Sequence, residues 1–176
     1  MPFEQEGPWK KWIENPDKIR NIGINLSHFK ELLGERYTFL DVGCGRGYIY
    51  DLIDRELDKF YYTGIDIDFD IIADAKKHHN QLNCEFKVGS IYGKLPKADI
   101  VLCSRLIIHL EDADRAVKAL LRAAQRQLVL FVAVGRDESF IGDHGLFRTF
   151  SEETLRSWGK YKIIRGENYD TVIYGR

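Results

Sequence analysis

Apolar and polar positions along this chain switch repeatedly between a period of two and a period near 3.6, the signatures of strand and helix. The first compact apolar run, 37–42 (YTFLDV), predicts a strand, and the amphipathic stretch 48–57 predicts the helix after it. Residues 61–65 (YYTGI) predict a second strand ending on Asp66, and Asp70 is placed to cap a helix over 71–80. A third strand is expected at 84–88 (CEFKV), where polar and apolar residues alternate. A fourth, 99–104 (DIVLCS), has the continuous apolar character of a strand buried on both faces. Asp112 or Asp114 opens a helix to about 126, with Ala116, Val117, Leu120, Leu121 and Ala124 on its apolar face. The most hydrophobic strand, 128–134 (LVLFVAV), comes next, and then 135–150 shows no period at all. A capping-box-like start at Ser151–Thr154 predicts a short helix through Trp158. Two last runs, 161–164 and 170–174, flank a turn and predict a β-hairpin. Upstream, 9–15 and 24–34 read as helices separated by Pro16, with Ser27 suited to cap the second and Gly34 to end it.

Five strand–helix alternations closed by a hairpin predict an α/β fold. Parallel strands need crossover helices, so the sheet is doubly wound, with helices on both faces and one antiparallel strand from the hairpin. Ligands of such sheets bind beyond the carboxyl ends of the strands. That directs attention to residues 41–47, 66, 89–91, 104–106 and 135 onward.

The first of these segments, Asp41-Val42-Gly43-Cys44-Gly45-Arg46-Gly47, joins strand to helix. Glycine at every second position lets the backbone turn sharply and approach a ligand closely. The helix beyond presents unpaired N–H groups and the positive end of its dipole. Asp66 stands 19 positions after Gly47, at the end of the second strand, where a carboxylate accepts hydrogen bonds from a ribose diol. A dinucleotide-binding turn would read GxGxxG; here the third glycine comes one residue early, and an acid precedes the first glycine by two.

That Asp-x-Gly-x-Gly-x-Gly pattern resembles the first motif of class I S-adenosylmethionine-dependent methyltransferases, and the likeness runs over residues 37–176. YTGIDID looks like the family's second motif, FKVGSIYGKLP like its third region, and ADIVLCSRLIIHL like its fourth strand and loop. The resemblance implies a Rossmann-like, seven-stranded, mostly parallel sheet and S-adenosyl-L-methionine as cofactor, with S-adenosyl-L-homocysteine as product. It implies that Asp41 sits near the cofactor's amino group and that Gly43 and Gly45 pack against its methionine and ribose, with Cys44 and Gly47 completing the turn. Asp66 would bind the ribose hydroxyls and Ile67 would pack on adenine. Ser90 stands where the family usually has an acid for the adenine amino group, so its hydroxyl or the Ile91 backbone N–H must serve instead. Ser104 would offer its carbonyl to the methionine amino group. A nicotinamide-binding protein is disfavoured by the glycine spacing.

Several acceptor classes would leave marks that this chain lacks. No Asn-Pro-Pro-Tyr follows the fourth strand, and no proline precedes Cys103, which reads as a core residue. The chain otherwise resembles the small-molecule branch, in which methyl passes to an O or N nucleophile by in-line displacement. His109, in SRLIIHL, is either a general base or the polar member of an apolar turn. His144 lies in the unpatterned 135–150 stretch, where a lid is expected, and is either a base or a solvated loop residue. Residues 1–36 form a separate helical segment in this reading, covering the site, with Trp9 and Trp12 closing on the cofactor or packing in the core.

Composition adds limits rather than direction. With 176 residues and a net charge of −1, neither nucleic acid nor an anionic membrane is favoured by bulk charge. Yet residues 1–114 carry 15 basic and 20 acidic side chains, and 115–176 carry 11 and 7. Arg115, Lys118, Arg122 and Arg126 recur at helical spacing, as a solvated face or as a phosphate stripe for RNA. A protein acceptor and a non-catalytic cofactor-binding module also stay open. No run approaches the length of a membrane span and 1–7 does not resemble a secretory signal. Cys44, Cys84 and Cys103 are too scattered for a disulfide framework or a zinc site and point to a reducing cytoplasm.

Overall fold

The computed structural model describes residues 36–56, 59–142, 145–166 and 169–175. The helices expected at 9–15 and 24–34, with Trp9 and Trp12, lie outside the described residues. The elements run β1 (Tyr37–Val42), α1 (Tyr48–Glu56), β2 (Phe60–Asp66), α2 (Phe69–His78), β3 (Cys84–Val88), β4 (Ala98–Ser104) and a 3-10 turn (Ile107–His109). They continue with α3 (Ala113–Ala123), β5 (Ala124–Val132), β6 (Glu138–Gly142), β7 (Gly145–Thr149), α4 (Glu152–Trp158), β8 (Tyr161–Ile164) and β9 (Asp170–Gly175). Seven strands form one sheet in the order β3-β2-β1-β4-β5-β9-β8, and β6 pairs with β7 in a separate ribbon. Strands β1 to β5 are mutually parallel; β9 runs antiparallel to both its neighbours. The doubly wound sheet with one antiparallel strand is therefore as expected.

Side chains alternate across each strand, so one sheet supports two cores. Leu40 and Val42, Val101 and Cys103, and Leu128 and Leu130 point to the face covered by α3 and α4, against Val117, Leu120, Leu155 and Trp158. Phe39, Ile100 and Leu102, and Val129 and Phe131 point to the other, against Ile49, Tyr50 and Ile53 of α1 and Ile72 of α2. The near-continuous burial of β4 and β5 follows from their central position.

Three local expectations need correction. Helix α2 is capped by Asp68, not Asp70: extended backbone at Asp68 lets its carboxylate accept from the N–H groups of Asp70 at 2.9 Å and Ile71 at 3.1 Å. Helix α3 ends at Ala123, because Ala124 pairs with Ala98 and starts β5. Arg126 accordingly leaves the basic helix face; it pairs with Asp99 at 3.3 Å and lies over the Tyr37 ring. The 135–150 stretch is not a loop but the β6–β7 hairpin. All five β6 residues are exposed, so no apolar alternation marks the strand.

Gly64 lies beside Asp41 in the β1–β2 register, and a Cβ there would come within 2.7 Å of Phe86 and 2.9 Å of Cys44 Sγ. Gly64→Ala should therefore lower unfolding free energy by about 1–3 kcal/mol, the range for overpacking a filled core, in a denaturant titration. Wild-type stability would show that this space is not needed.

Candidate functional site

The carboxyl ends of β1, β2, β3 and β4 meet at one edge of the sheet. The turn after β1 has left-handed φ at Gly43 (81°), Gly45 (54°) and Gly47 (87°), which side chains with a Cβ rarely adopt. It is stitched to β2 by the N–H groups of Gly43 and Cys44, which both donate to the Ile65 carbonyl, at 2.7 and 3.1 Å. The Gly45 N–H donates to Asp66 Oδ2 at 3.0 Å, and the Asp68 N–H to Asp66 Oδ1 at 3.1 Å. The turn and Asp66, distant in sequence, thus form one unit. Apart from its chain neighbours, no atom of the described residues lies within 4 Å of where a Gly45 Cβ would be, so the turn faces open space among them there. Against Gly43, by contrast, Leu106 packs so closely that a Cβ would meet it at 2.9 Å.

Beneath the turn lies Asp41, 1 % exposed. Tyr62 donates its hydroxyl to Asp41 Oδ2 at 2.6 Å, while Oδ1 has no hydrogen-bond partner among the described residues. Burial pushes its carboxyl up to about 7, opposed by the Tyr62 hydrogen bond and assisted by the negative charge of Asp66. Burial raises Asp66 as well, against the amide hydrogen bonds that hold its charged form. The Asp66 carboxylate, joined by Asp41 once that group ionises, repels an anion and suits a cationic ligand.

The remaining predicted residues border the same edge. Ile67 is 65 % exposed beside Asp66, a bare apolar surface in a place where a core residue would be covered. Ser90 follows β3; its hydroxyl accepts from the Tyr92 N–H at 3.2 Å, its carbonyl from the Gly93 N–H at 2.9 Å, and Ile91 is buried. Ser104 ends β4, level with Phe131 of β5. Cys44 and Cys103 are buried thiols pushed upward by burial, with Asp41 adding to both, so neither is an activated nucleophile. His109 donates from Nδ1 to the Leu146 carbonyl at 2.7 Å and meets the Phe147 ring edge-on. His144 lies outside the described residues. Among those residues, no group of three His, Cys, Asp or Glu side chains is arranged to hold a metal.

Three participants carry little or no signal in the sequence pattern. Tyr62 reaches Asp41 from the next strand, a contact that follows from register alone. Arg105 adopts φ 56° just after β4 and places its guanidinium over the Tyr169 ring. His79 stacks on Phe86 with Nε2 2.9 Å from the Arg46 carbonyl, inside the glycine turn. The only hint of the last is a histidine pair at the end of a predicted helix.

The raised Asp41 carboxyl has a consequence for stability. The unfolded chain ionises near 3.8, whereas the native carboxyl holds its proton to about 7. The native state binds more protons across that window, so stability falls as pH rises through it. Asp41→Asn should match wild type near pH 4 and gain on it progressively to pH 7, by up to about 4 kcal/mol, then stay level. Denaturation at several pH values reads this directly, and a pH-independent difference would contradict it.

Residues 39–128, just over half of the chain, match the family described as a methyltransferase domain. A malonyl-[acyl-carrier protein] O-methyltransferase of Bacillus cereus is 23% identical over 146 residues, covering 78% of this chain and 54% of that protein. The chain thus spans about half the length of the curated relatives it matches. Magnesium protoporphyrin IX methyltransferase from Synechocystis, crystallised with bound SAH, superposes with a TM-score of 0.66 at 18% identity, over 98% of this chain and 86% of that one. Human N-acetylserotonin methyltransferase in complex with SAM gives 0.71 at 14% identity, over 94% and 55%. These structures share the fold. With the glycine turn, its carboxylates and the family match in agreement, the chain belongs to the methyltransferase-domain family.

Proposed function

We propose that this chain is an S-adenosylmethionine-dependent methyltransferase acting on an oxygen or nitrogen of a small molecule. The observation that carries the reading is the clasp of Asp66 on Gly45 above the buried Asp41 carboxylate. Each Asp66 oxygen accepts one backbone amide and keeps a lone pair for a ribose hydroxyl. Asp66 supplies negative potential, joined by Asp41 once it ionises, which a cationic cofactor favours and a pyrophosphate would not tolerate. Ile67 is the adenine platform. Ser90, whose oxygen already accepts from Tyr92, has its own hydrogen left to donate toward adenine, next to the Ile91 amide. Gly43, Cys44, Gly45 and Gly47 form the backbone wall, and the Ser104 carbonyl accepts from the ammonium. When bound, S-adenosylmethionine supplies an electrophilic methyl carbon attached to a sulfonium.

For an acceptor that must lose a proton, the residue assigned is His109 in preference to His144. A carbonyl only accepts, so the bond to Leu146 puts the ring hydrogen on Nδ1 and leaves Nε2 as the basic nitrogen. The Bacillus relatives, named as O-methyltransferases of a malonyl carrier, support an oxygen acceptor. An RNA acceptor has less support, because basic side chains of the C-terminal third are engaged by partners of this chain: Arg115 lies over Tyr92, and Arg165 pairs with Glu152 and Asp170. The three cysteines, all unpaired, support a reducing compartment such as the cytoplasm. No helix among the described residues is long and apolar enough to cross a membrane.

Titration calorimetry with S-adenosylhomocysteine tests the cofactor reading, with saturable heat expected and its absence fatal. Asp66→Ala should weaken that binding by about 1.5–3 kcal/mol, roughly ten- to a hundredfold, the range for charge-assisted hydrogen bonds. His109→Asn keeps a donor for Leu146 but has no basic nitrogen. In an assay of homocysteine product over hydroxyl and amine acceptors it should lower kcat about a hundredfold or more and leave KM near wild type. Full turnover by this variant would return His109 to a purely structural role.

A further inference from the structure

The Arg46–Gly47 peptide unit is tied at both ends. Its N–H closes the glycine turn on the Cys44 carbonyl at 3.0 Å. Its carbonyl lies 2.9 Å from His79 Nε2. A carbonyl oxygen only accepts, so Nε2 carries the hydrogen, and Nδ1 faces Asp51 at 3.6 Å. The imidazole side chain is 7 % exposed, stacked on Phe86 with centroids 5.3 Å apart and edge-on to Tyr50 at 5.1 Å. A Cβ on Gly47 would meet the His79 and Phe86 rings, each at 2.8 Å. Helix α2, for which His79 is the C-terminal cap, makes a second attachment, from Asp74 to the Arg46 guanidinium at 2.7 Å.

These contacts give His79 a task that packing alone does not require. Phe86 and Tyr50 would accept any flat ring at this position, yet the ring here carries a donor aimed at a carbonyl in the cofactor turn. Glycines on both sides of Arg46 have left-handed φ, so the backbone around this peptide has little intrinsic stiffness. A fixed carbonyl holds the peptide plane, and with it the Gly45 amide that meets Asp66.

We propose that His79 is a positioning residue for cofactor binding, holding the glycine turn in its binding-competent form through the hydrogen bond to the Arg46 carbonyl. This rests on the cofactor reading above. Without the bond the turn samples other peptide orientations, and apparent affinity falls by the fraction of competent molecules.

The test separates the donor from the ring. His79→Phe keeps the stack on Phe86 and loses the donor; His79→Gln keeps an N–H where Nε2 stands and loses the ring. In calorimetry with S-adenosylhomocysteine on the full chain, His79→Phe should bind about three- to tenfold more weakly at a Tm close to wild type. His79→Gln should recover most of that loss. Hydrogen exchange of the 43–48 segment in the ligand-free protein should quicken in His79→Phe only. Wild-type affinity in His79→Phe overturns the proposal. So does a loss of affinity that follows Tm equally in both variants, or a His79→Phe chain that fails to fold. Absence of heat with the wild-type chain would instead overturn the cofactor reading, so the two failures are distinct.

Discussion

The hydrogen bond from the Gly45 amide to Asp66 is the constraint on which the site depends. It joins the turn after one strand to the end of the next. The two strands are parallel, so their carboxyl ends arrive at the same edge in register. Parallel pairing alone would bring the turn near Asp66; it would not orient the carboxylate. The two backbone donors, from Gly45 and Asp68, fix its plane while the residue stays partly exposed. Asp66 thereby acts on the protein and remains able to act on a ligand.

The neighbouring carboxylate is arranged in the opposite way. Asp41 is buried, holds one phenolic donor and has an oxygen with no partner among the described residues. A buried charge in this state is unfavourable, and the lifted carboxyl records that. Native folds usually pair such groups. An unsatisfied acceptor beneath the glycine turn fits the proposed site, whose last partner would be a ligand cation. The cost to stability and the capacity to bind have one origin.

How far the sequence reveals this arrangement depends on the range of each interaction. Strands β1 and β3 appear at their expected bounds, since each is a short apolar or alternating run between turn residues. The glycine turn and Asp66 are legible because backbone conformation and strand end are local properties. The β6–β7 ribbon is not: β6 is exposed throughout, and the ribbon is fastened by contacts 37 and 38 residues apart, from His109 to Leu146 and from Arg148 to Leu110. Tyr62 and His79 escape notice for the same reason. Their partners lie 21 and 33 positions away, and neither residue type at its position announces a hydrogen bond to a carboxylate or a carbonyl.

The division between local and distant signals also separates cofactor from acceptor. The groups proposed to face the cofactor come from the ends of neighbouring parallel strands, where register fixes geometry to within a hydrogen bond. The proposed acceptor side comprises the segments after β4 and β5: Arg105 in its left-handed conformation, the 3-10 turn and the ribbon that His109 and Arg148 hold against it. These pieces are joined by side chain to main chain contacts rather than by a sheet ladder. A substitution there can move a loop without disturbing either core, whereas Asp66 ends a paired strand and holds Gly45 by a hydrogen bond. On the proposed function, a fold built this way can change its acceptor while the chemistry of methyl donation stays fixed, and for that reason the residues that would choose the acceptor are the ones a single sequence shows least.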